Sequence, residues 1–432
     1  MSHHSSCNDA HACAEYNELS RRGFLARSAA VSIGALAASA WLPRVALARE
    51  FRSTQRDVIV SIFLRGASDG LTLVPPHGES AYYAARPVVS VPAPGGSGTA
   101  INLDGFFGLH PAFAPLMPAY QNNHLLVLHA TGQSDTSRSH FQAQRVMELG
   151  DPADPLLNTG WLGRHLYSVD PIDPNALLRA VGISTGLQQH LVGGPRTLPI
   201  PNLDNFGLLG AASSTAARQD ALSDMYATVA DPLKAAALTT AGTIDLLNTI
   251  NFAGYVPGGN AVYPNNGFGL SLKSAAALIK AQVGVEAIAV DLGGWDTHVA
   301  QGSVGGALDT LIQTLVNAIA AFYTDMIANA GNPTFTLVVV SEFGRRLNEN
   351  GSAGTDHGHG NAMFVLGNCV TGGRVLANWP GLAPGDLFEG KDLAVTIDYR
   401  DILAEIIQNR LGNNDLGYIF PGFTPTFRGV TC

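Results

Sequence analysis

Basic residues are scarce: 25 lysines and arginines stand against 34 aspartates and glutamates, a formal charge of −9. That balance leaves no basic footprint for DNA or RNA. Cysteine is rarer still, with four in 432 residues. None is arranged as CxxC or in a Cys-His zinc-finger spacing, which excludes a thiolate metal knot or a dithiol redox motif. The apolar run Ala29 to Leu42 falls short of the ~20 residues that span a bilayer, so no stable membrane anchor is expected there. Internal repeats and long low-complexity tracts are also missing. With only 14% charged residues, the places where polar side chains gather become the informative ones.

What is present begins with an export signal. Ser20 to Ala48 carries paired arginines Arg21 and Arg22, then Phe24 and Leu25, a weakly apolar run rich in Ala, Ser and Gly, and Ala46-Leu47-Ala48 as an A-x-A cleavage site. This layout resembles a twin-arginine (Tat) signal peptide and gives residues 1–48 as a removable segment. The expectation is a periplasmic or extracellular protein whose partner during export is the Tat translocase. Removal leaves an acidic chain, residues 49–432, whose cysteines are Cys369 and Cys432. Pairing and two free buried thiols both remain open on sequence grounds.

Strand and helix patterns alternate along that chain. Asp57 to Leu64 and His124 to Ala130 read as buried strands, with the helix-spaced Leu109 to Asn123 between them. "SHFQAQRVMEL" reads as a helix capped by Ser139. From about 152 to 270 the pattern is irregular, with helix-like pieces such as Ser213 to Leu247 broken by Gly/Pro/Asn loops, and is expected to be an insertion. A helix ending near Gly284, a strand from Val285 to Leu292, a helix from about Val304 to Asn329 and a strand from Phe335 to Val340 follow. Such alternation predicts an α/β fold, doubly wound, with a mostly parallel sheet and helices on both faces.

Each polar cluster follows a strand. "RGASDG" with Asp69 follows the first strand, "TGQSDTSRSHF" the second, "GGWDTH" with Asp296 and His298 the third, and "SEFGR" with Glu342 the fourth. Loops at that edge of an open α/β sheet converge on ligands. "GTDHGHGN" adds Asp356, His357 and His359. Carboxylates mixed with imidazoles suit zinc, manganese or iron, whereas carboxylates alone would suit calcium or magnesium. Asp69, Asp296, His298, Glu342, Asp356, His357 and His359 are therefore the candidate metal residues. Ser137, Arg138, Ser139 and His140 stand at a helix N-terminus, where free N–H groups and an arginine suit an oxyanion, and form the candidate catalytic set. His110 is placed either to cap a helix or to reach the site, and Asp398 with Arg400 to form an ion pair at a helix start.

With these pieces assembled, the chain resembles the exported family known as domain of unknown function 1501. The resembling pieces are the Tat-like start, "FLRGASDGL", "LHPAFAPL", "SRSHFQAQRVMELG", "GGWDTH", "SEFGR", "GTDHGHGNAMFVLG" and "TIDYRDIL". That family in turn looks like a branch of the alkaline phosphatase and sulfatase superfamily. The resemblance implies two divalent metals and a Ser, Thr or modified Cys nucleophile at a helix N-terminus. Asp69 then matches a metal-holding carboxylate, Ser137 or Ser139 the nucleophile, and Asp296 with His298 ligands of the other metal. Asp356-His357 matches the superfamily's Asp-His pair, displaced here because "SEFGR" follows the strand directly and "TDHGHG" comes later. The implied activity is metal-dependent hydrolysis of a small phosphate or sulfate ester. The alternative is a degenerate relative serving as an exported binding or assembly factor.

Overall fold

A computed structural model describes residues 56–151, 154–208, 210–231 and 233–432; the signal-like segment lies outside them. The strands are β1 (Val58–Leu64), β2 (Ile101–Asn102), β3 (Gly108–Leu109), β4 (Leu125–Gly132), β5 (Ala180–Ile183), β6 (Thr197–Pro199) and β7 (Ala287–Leu292). They continue with β8 (Phe335–Ser341), β9 (Arg345–Glu349), β10 (Thr355–His357), β11 (Asn361–Gly367), β12 (Arg374–Ala377) and β13 (Ile397–Asp398). The central sheet runs β12-β4-β11-β8-β1-β7-β5-β6, with β13 also on β4. β1 pairs in parallel with both β7 and β8. Only β11 runs antiparallel to its neighbours β4 and β8, so the expected mostly parallel sheet is present.

The helices include α1 (Gly70–Leu73), α2 (His140–Leu149), α3 (Gly267–Lys280), α4 (Ala307–Ile327) and α5 (Tyr399–Asn409). β1 reads VIVSIFL and is buried throughout, because successive side chains feed opposite faces of the sheet. Val58, Val60, Ile62 and Leu64 join one apolar cluster with Leu272 of α3 and Ile312, Leu315 and Phe322 of α4. Ile59 and Phe63 join another with Met147 of α2 and Ile402, Leu403 and Ile406 of α5. Helices therefore cover both faces, which is why the strand is a continuous apolar run rather than an alternating one.

Several local details depart from the sequence pattern for physical reasons. The helix-spaced stretch after β3 is a 3₁₀ segment, Pro111–Leu116, leading into a short helix, Met117–Gln121. Pro111, Pro115 and Pro118 remove the donors a regular α-helix needs. His110 takes the capping role there, accepting from the Ala112 N–H. Asp398 caps α5 and pairs with Arg400 at 2.8 Å, as its sequence position implies. Residues 207–245 cluster as a compact unit of their own and include the helix Thr215–Ala227. Cys369 and Cys432 form a disulfide, with Cα atoms 5.3 Å apart. No helix among the described residues is long and apolar enough to cross a membrane.

The excursion between β8 and β11 is the feature that shapes the site. β9 and β10 pair as an antiparallel hairpin, so the chain leaves the sheet edge after Glu342 and returns to it at Asp356-His357. The displaced Asp-His pair of the sequence is thereby delivered back beside the strand end that "SEFGR" occupies.

Candidate metal centre

Because β1, β7 and β8 are parallel, their following loops share one edge, and two glycines let those loops touch. Gly66 sits at φ +115°, and a Cβ there would lie 2.7 Å from the Asp296 amide nitrogen. A Cβ on Gly354 would lie 2.3 Å from the His298 carbonyl oxygen. Any larger residue would push the hairpin and the β1 loop away from the segment bearing Asp296 and His298.

Four side chains meet at this edge. His298 Nε2 and His357 Nε2 lie 3.0 Å apart, and each is 3.1 Å from Asp296 Oδ1. His140 Nε2 lies 3.5 Å from Asp296 Oδ2 and is buried without a hydrogen-bond partner. The ligand atoms of His140, Asp296 and His357 all fall within 4.8 Å of one another. A buried ring nitrogen left unpaired is costly unless something else binds its lone pair. A divalent ion fits that description, and imidazoles with one carboxylate are a donor set suited to zinc, iron or manganese. Asp296 and His298 remain 47% and 39% exposed at their side chains, so the centre is open on one side to a small molecule.

Each imidazole is also held from behind. His140 Nδ1 contacts Glu342 Oε1 at 2.9 Å, His298 Nδ1 contacts Asp356 Oδ1 at 3.2 Å, and His357 Nδ1 contacts the Arg138 carbonyl at 2.9 Å. An Nδ1–H donated to such an acceptor fixes the tautomer and leaves the Nε2 lone pair free for a metal. All three rings are thus oriented the same way, toward Asp296.

The electrostatics prepare the same set. Partial burial would raise the Asp296 carboxyl, but the hydrogen bond from Arg345 and its positive charge outweigh it and hold the group at about 2. Burial pushes the His357 imidazole below its ordinary value, favouring the neutral ring. An ionised carboxylate and a neutral imidazole are the forms that bind metal. The hydrogen bond to Glu342 raises His140, so a proton would compete with a metal at that ring. Glu342 itself is depressed: burial alone would raise it, but donation from His140, Gln144 and the Gly66 amide prevails. Asp356 is depressed chiefly by its hydrogen bond from Asn350.

Of the residues singled out from sequence, Asp296, His298 and His357 come together, and His140 joins them rather than standing with the serines. Glu342 and Asp356 sit one step back, as the acceptors that hold His140 and His298. Asp69 is not brought to the group: its Oδ2 accepts from Arg86 at 2.7 Å, Thr72 at 2.8 Å and Gln301 at 2.7 Å. Its other oxygen is buried and unpaired. His359 instead stacks on Phe388, ring centroids 4.5 Å apart. Ser139 occupies the N-cap position of α2 but makes no side-chain capping bond. Ser137 donates to Asp135 at 2.6 Å. Arg138 turns its guanidinium to Asp392 and Glu389, so it is not aimed at an oxyanion.

Sequence reasoning overlooked Arg345, Gln144 and Asn350. Arg345 is buried and donates to Asp296 Oδ1 at 2.8 Å and to the carbonyls of Gly66, Ala67, Trp295 and Thr355. Nothing in "GRRL" distinguishes it from its exposed-strand neighbours. Gln144 had a readable signal: His140, Gln144 and Glu148 recur at four-residue spacing on one face of α2.

The model of the family described as "Protein of unknown function (DUF1501)" matches residues 207–415, slightly under half the chain. The match supports the resemblance to that family over those residues, which include Asp296, His298, Glu342, Asp356 and His357, while His140 lies outside them. No curated protein matches the chain.

Proposed function

We propose that this chain is an exported, metal-dependent hydrolase of phosphate or sulfate esters, built on an alkaline phosphatase-like sheet. The observation that carries the reading is the convergence of three imidazole Nε2 atoms on Asp296, each ring fixed at Nδ1, with the His140 nitrogen buried and unpaired. A divalent ion held there would supply Lewis acidity toward an ester oxygen and the attacking water. The chain's own part is to bind and orient. Arg345 keeps Asp296 anionic, and Glu342, Asp356 and the Arg138 carbonyl keep the rings aimed. Ser137 and Ser139 make no contact with this group among the hydrogen bonds they form, which favours water over serine as the nucleophile.

Charge narrows the substrate. Arg345 and Arg138, the guanidinium groups bonded into this centre and its supports, are both taken up by carboxylates. Neither is free to clamp a dianion, which favours singly charged sulfate esters or phosphodiesters over phosphomonoesters. Export through the Tat route fits the twin-arginine segment, and the Cys369–Cys432 disulfide fits an oxidising compartment.

The deciding experiment measures metal content of protein isolated after native export, together with turnover of phosphomonoesters, phosphodiesters and sulfate esters. Close to stoichiometric metal, with turnover lost in Asp296→Ala, is the expected result. Metal without turnover would favour a binding or assembly factor, and protein that takes up no metal would end both versions.

A further inference from the structure

We infer that Arg138 is a positioning residue, whose strained backbone, locked by an ion pair with the buried Asp392, aims the carbonyl that orients His357; the inference rests on the metal-centre reading above. Arg138 lies at φ +51°, in the left-handed region that is strained for any residue other than glycine. Such a conformation persists only where surrounding contacts hold it. Here they are specific. Arg138 Nε and Nη2 donate to Asp392 Oδ2 at 2.9 and 2.5 Å, and Nη2 also donates to Glu389 at 2.7 Å. The Asp392 side chain is completely buried, and its other oxygen has no partner, so the side-chain hydrogen bonds this carboxyl receives come from Arg138. The guanidinium lies 5.9 Å from the Phe388 ring, which is itself stacked on His359.

With the side chain anchored on that side, the left-handed backbone presents the carbonyl to His357 Nδ1 at 2.9 Å. The opposite ring nitrogen then lies 3.1 Å from Asp296 Oδ1. Arg138 acts through its main chain on a metal-binding ring, and its charge serves to hold the backbone. An arginine that clamped substrate would aim its fork at the centre, and here the Nε and Nη2 edge is turned to Asp392 and Glu389.

The test compares wild type, Arg138→Gly and Arg138→Ala in the full chain, by Co²⁺ titration with the visible d–d spectrum as readout of coordination. Glycine enters the left-handed region freely, so Arg138→Gly should keep the wild-type spectrum and stay within about threefold in affinity although it lacks the guanidinium. Alanine retains the strain without the anchor, so Arg138→Ala should lose about tenfold or more, the scale of removing a ligand's supporting hydrogen bond, with a changed spectrum. Equal loss in both variants would show that the guanidinium acts otherwise than by holding the left-handed backbone and would overturn the inference, as would equal retention. If wild type takes up no Co²⁺, the metal reading has failed, and crystal structures of the metal-free variants decide the positioning claim by themselves. A His357 ring unchanged with glycine and rotated with alanine upholds it; the same ring orientation in all three overturns it.

Discussion

Replacing Glu342 by glutamine isolates the effect of one buried charge on the centre. The carboxylate is fully buried, and Oε1 accepts from the Gly66 amide, His140 Nδ1 and Gln144 Nε2, each at 2.9 Å. Oε2 contacts Ser341 Oγ at 2.9 Å. That hydroxyl can donate to the Leu64 carbonyl at 2.7 Å while accepting from the Ser68 amide at 3.0 Å, which leaves a lone pair for a glutamine N–H. The variant can therefore keep its oxygen among the three donors and its nitrogen against Ser341, leaving no polar atom stranded. Charge-assisted bonds are replaced by neutral ones, a loss of about 1–2 kcal/mol in folding stability. Metal affinity should fall about 10–100-fold, because His140 loses the carboxylate that orients it and raises its basicity; that is about 1.4–2.8 kcal/mol. Co²⁺ or Zn²⁺ titration against a competing chelator at about pH 8 reads the affinity under conditions where a proton on His140, which Glu342 favours, competes least. Melting in the presence of chelator reads the stability separately. Complete loss of metal in a folded variant would make Glu342 a ligand rather than a support. Unchanged affinity would remove the Glu342–His140 link from the account.

Ser139→Ala should shift stability by less than about 0.5 kcal/mol, since the hydroxyl makes no capping bond, and should retain turnover, as should Ser137→Ala; an inactive but metal-loaded variant of either would restore serine attack. Glu148 is buried, and although burial would raise it, His190 and Arg65 hold it at about 2. Its contribution, about 3 kcal/mol, is thus present above the ordinary carboxyl range and lost as pH falls through about 2. Melting of wild type and Glu148→Gln should therefore differ most near neutrality and converge in acid, and parallel pH profiles would contradict the assignment. Cys432→Ala opens a loop spanning a sequence separation of 63 and should lower unfolding free energy by up to about 4 kcal/mol, measured by denaturant midpoint; an unchanged midpoint would show that the crosslink contributes nothing.

The sequence by itself determined the sheet and its loaded edge. β1, β7 and β8 are legible because buried parallel strands must be apolar on both faces, and the Asp296, His298 and His357 positions are legible because polar residues after such strands stand out in a chain this poor in charge. Tertiary structure decided what each polar residue touches. The β9–β10 hairpin returns Asp356 and His357 to the end of β8, a pairing between segments that no local periodicity encodes. Asp69 is diverted to Arg86, 17 residues away, and Arg345 reaches Asp296 across 49. His140 reads as a helix-start residue until Glu342, 202 positions later, fixes its ring. Residue type and spacing set which groups can bind a metal, but which of them share a center depends on contacts between loops distant in the chain. Those contacts follow from packing on both faces of the sheet, because it alone brings the strand ends, and the groups they carry, to one edge.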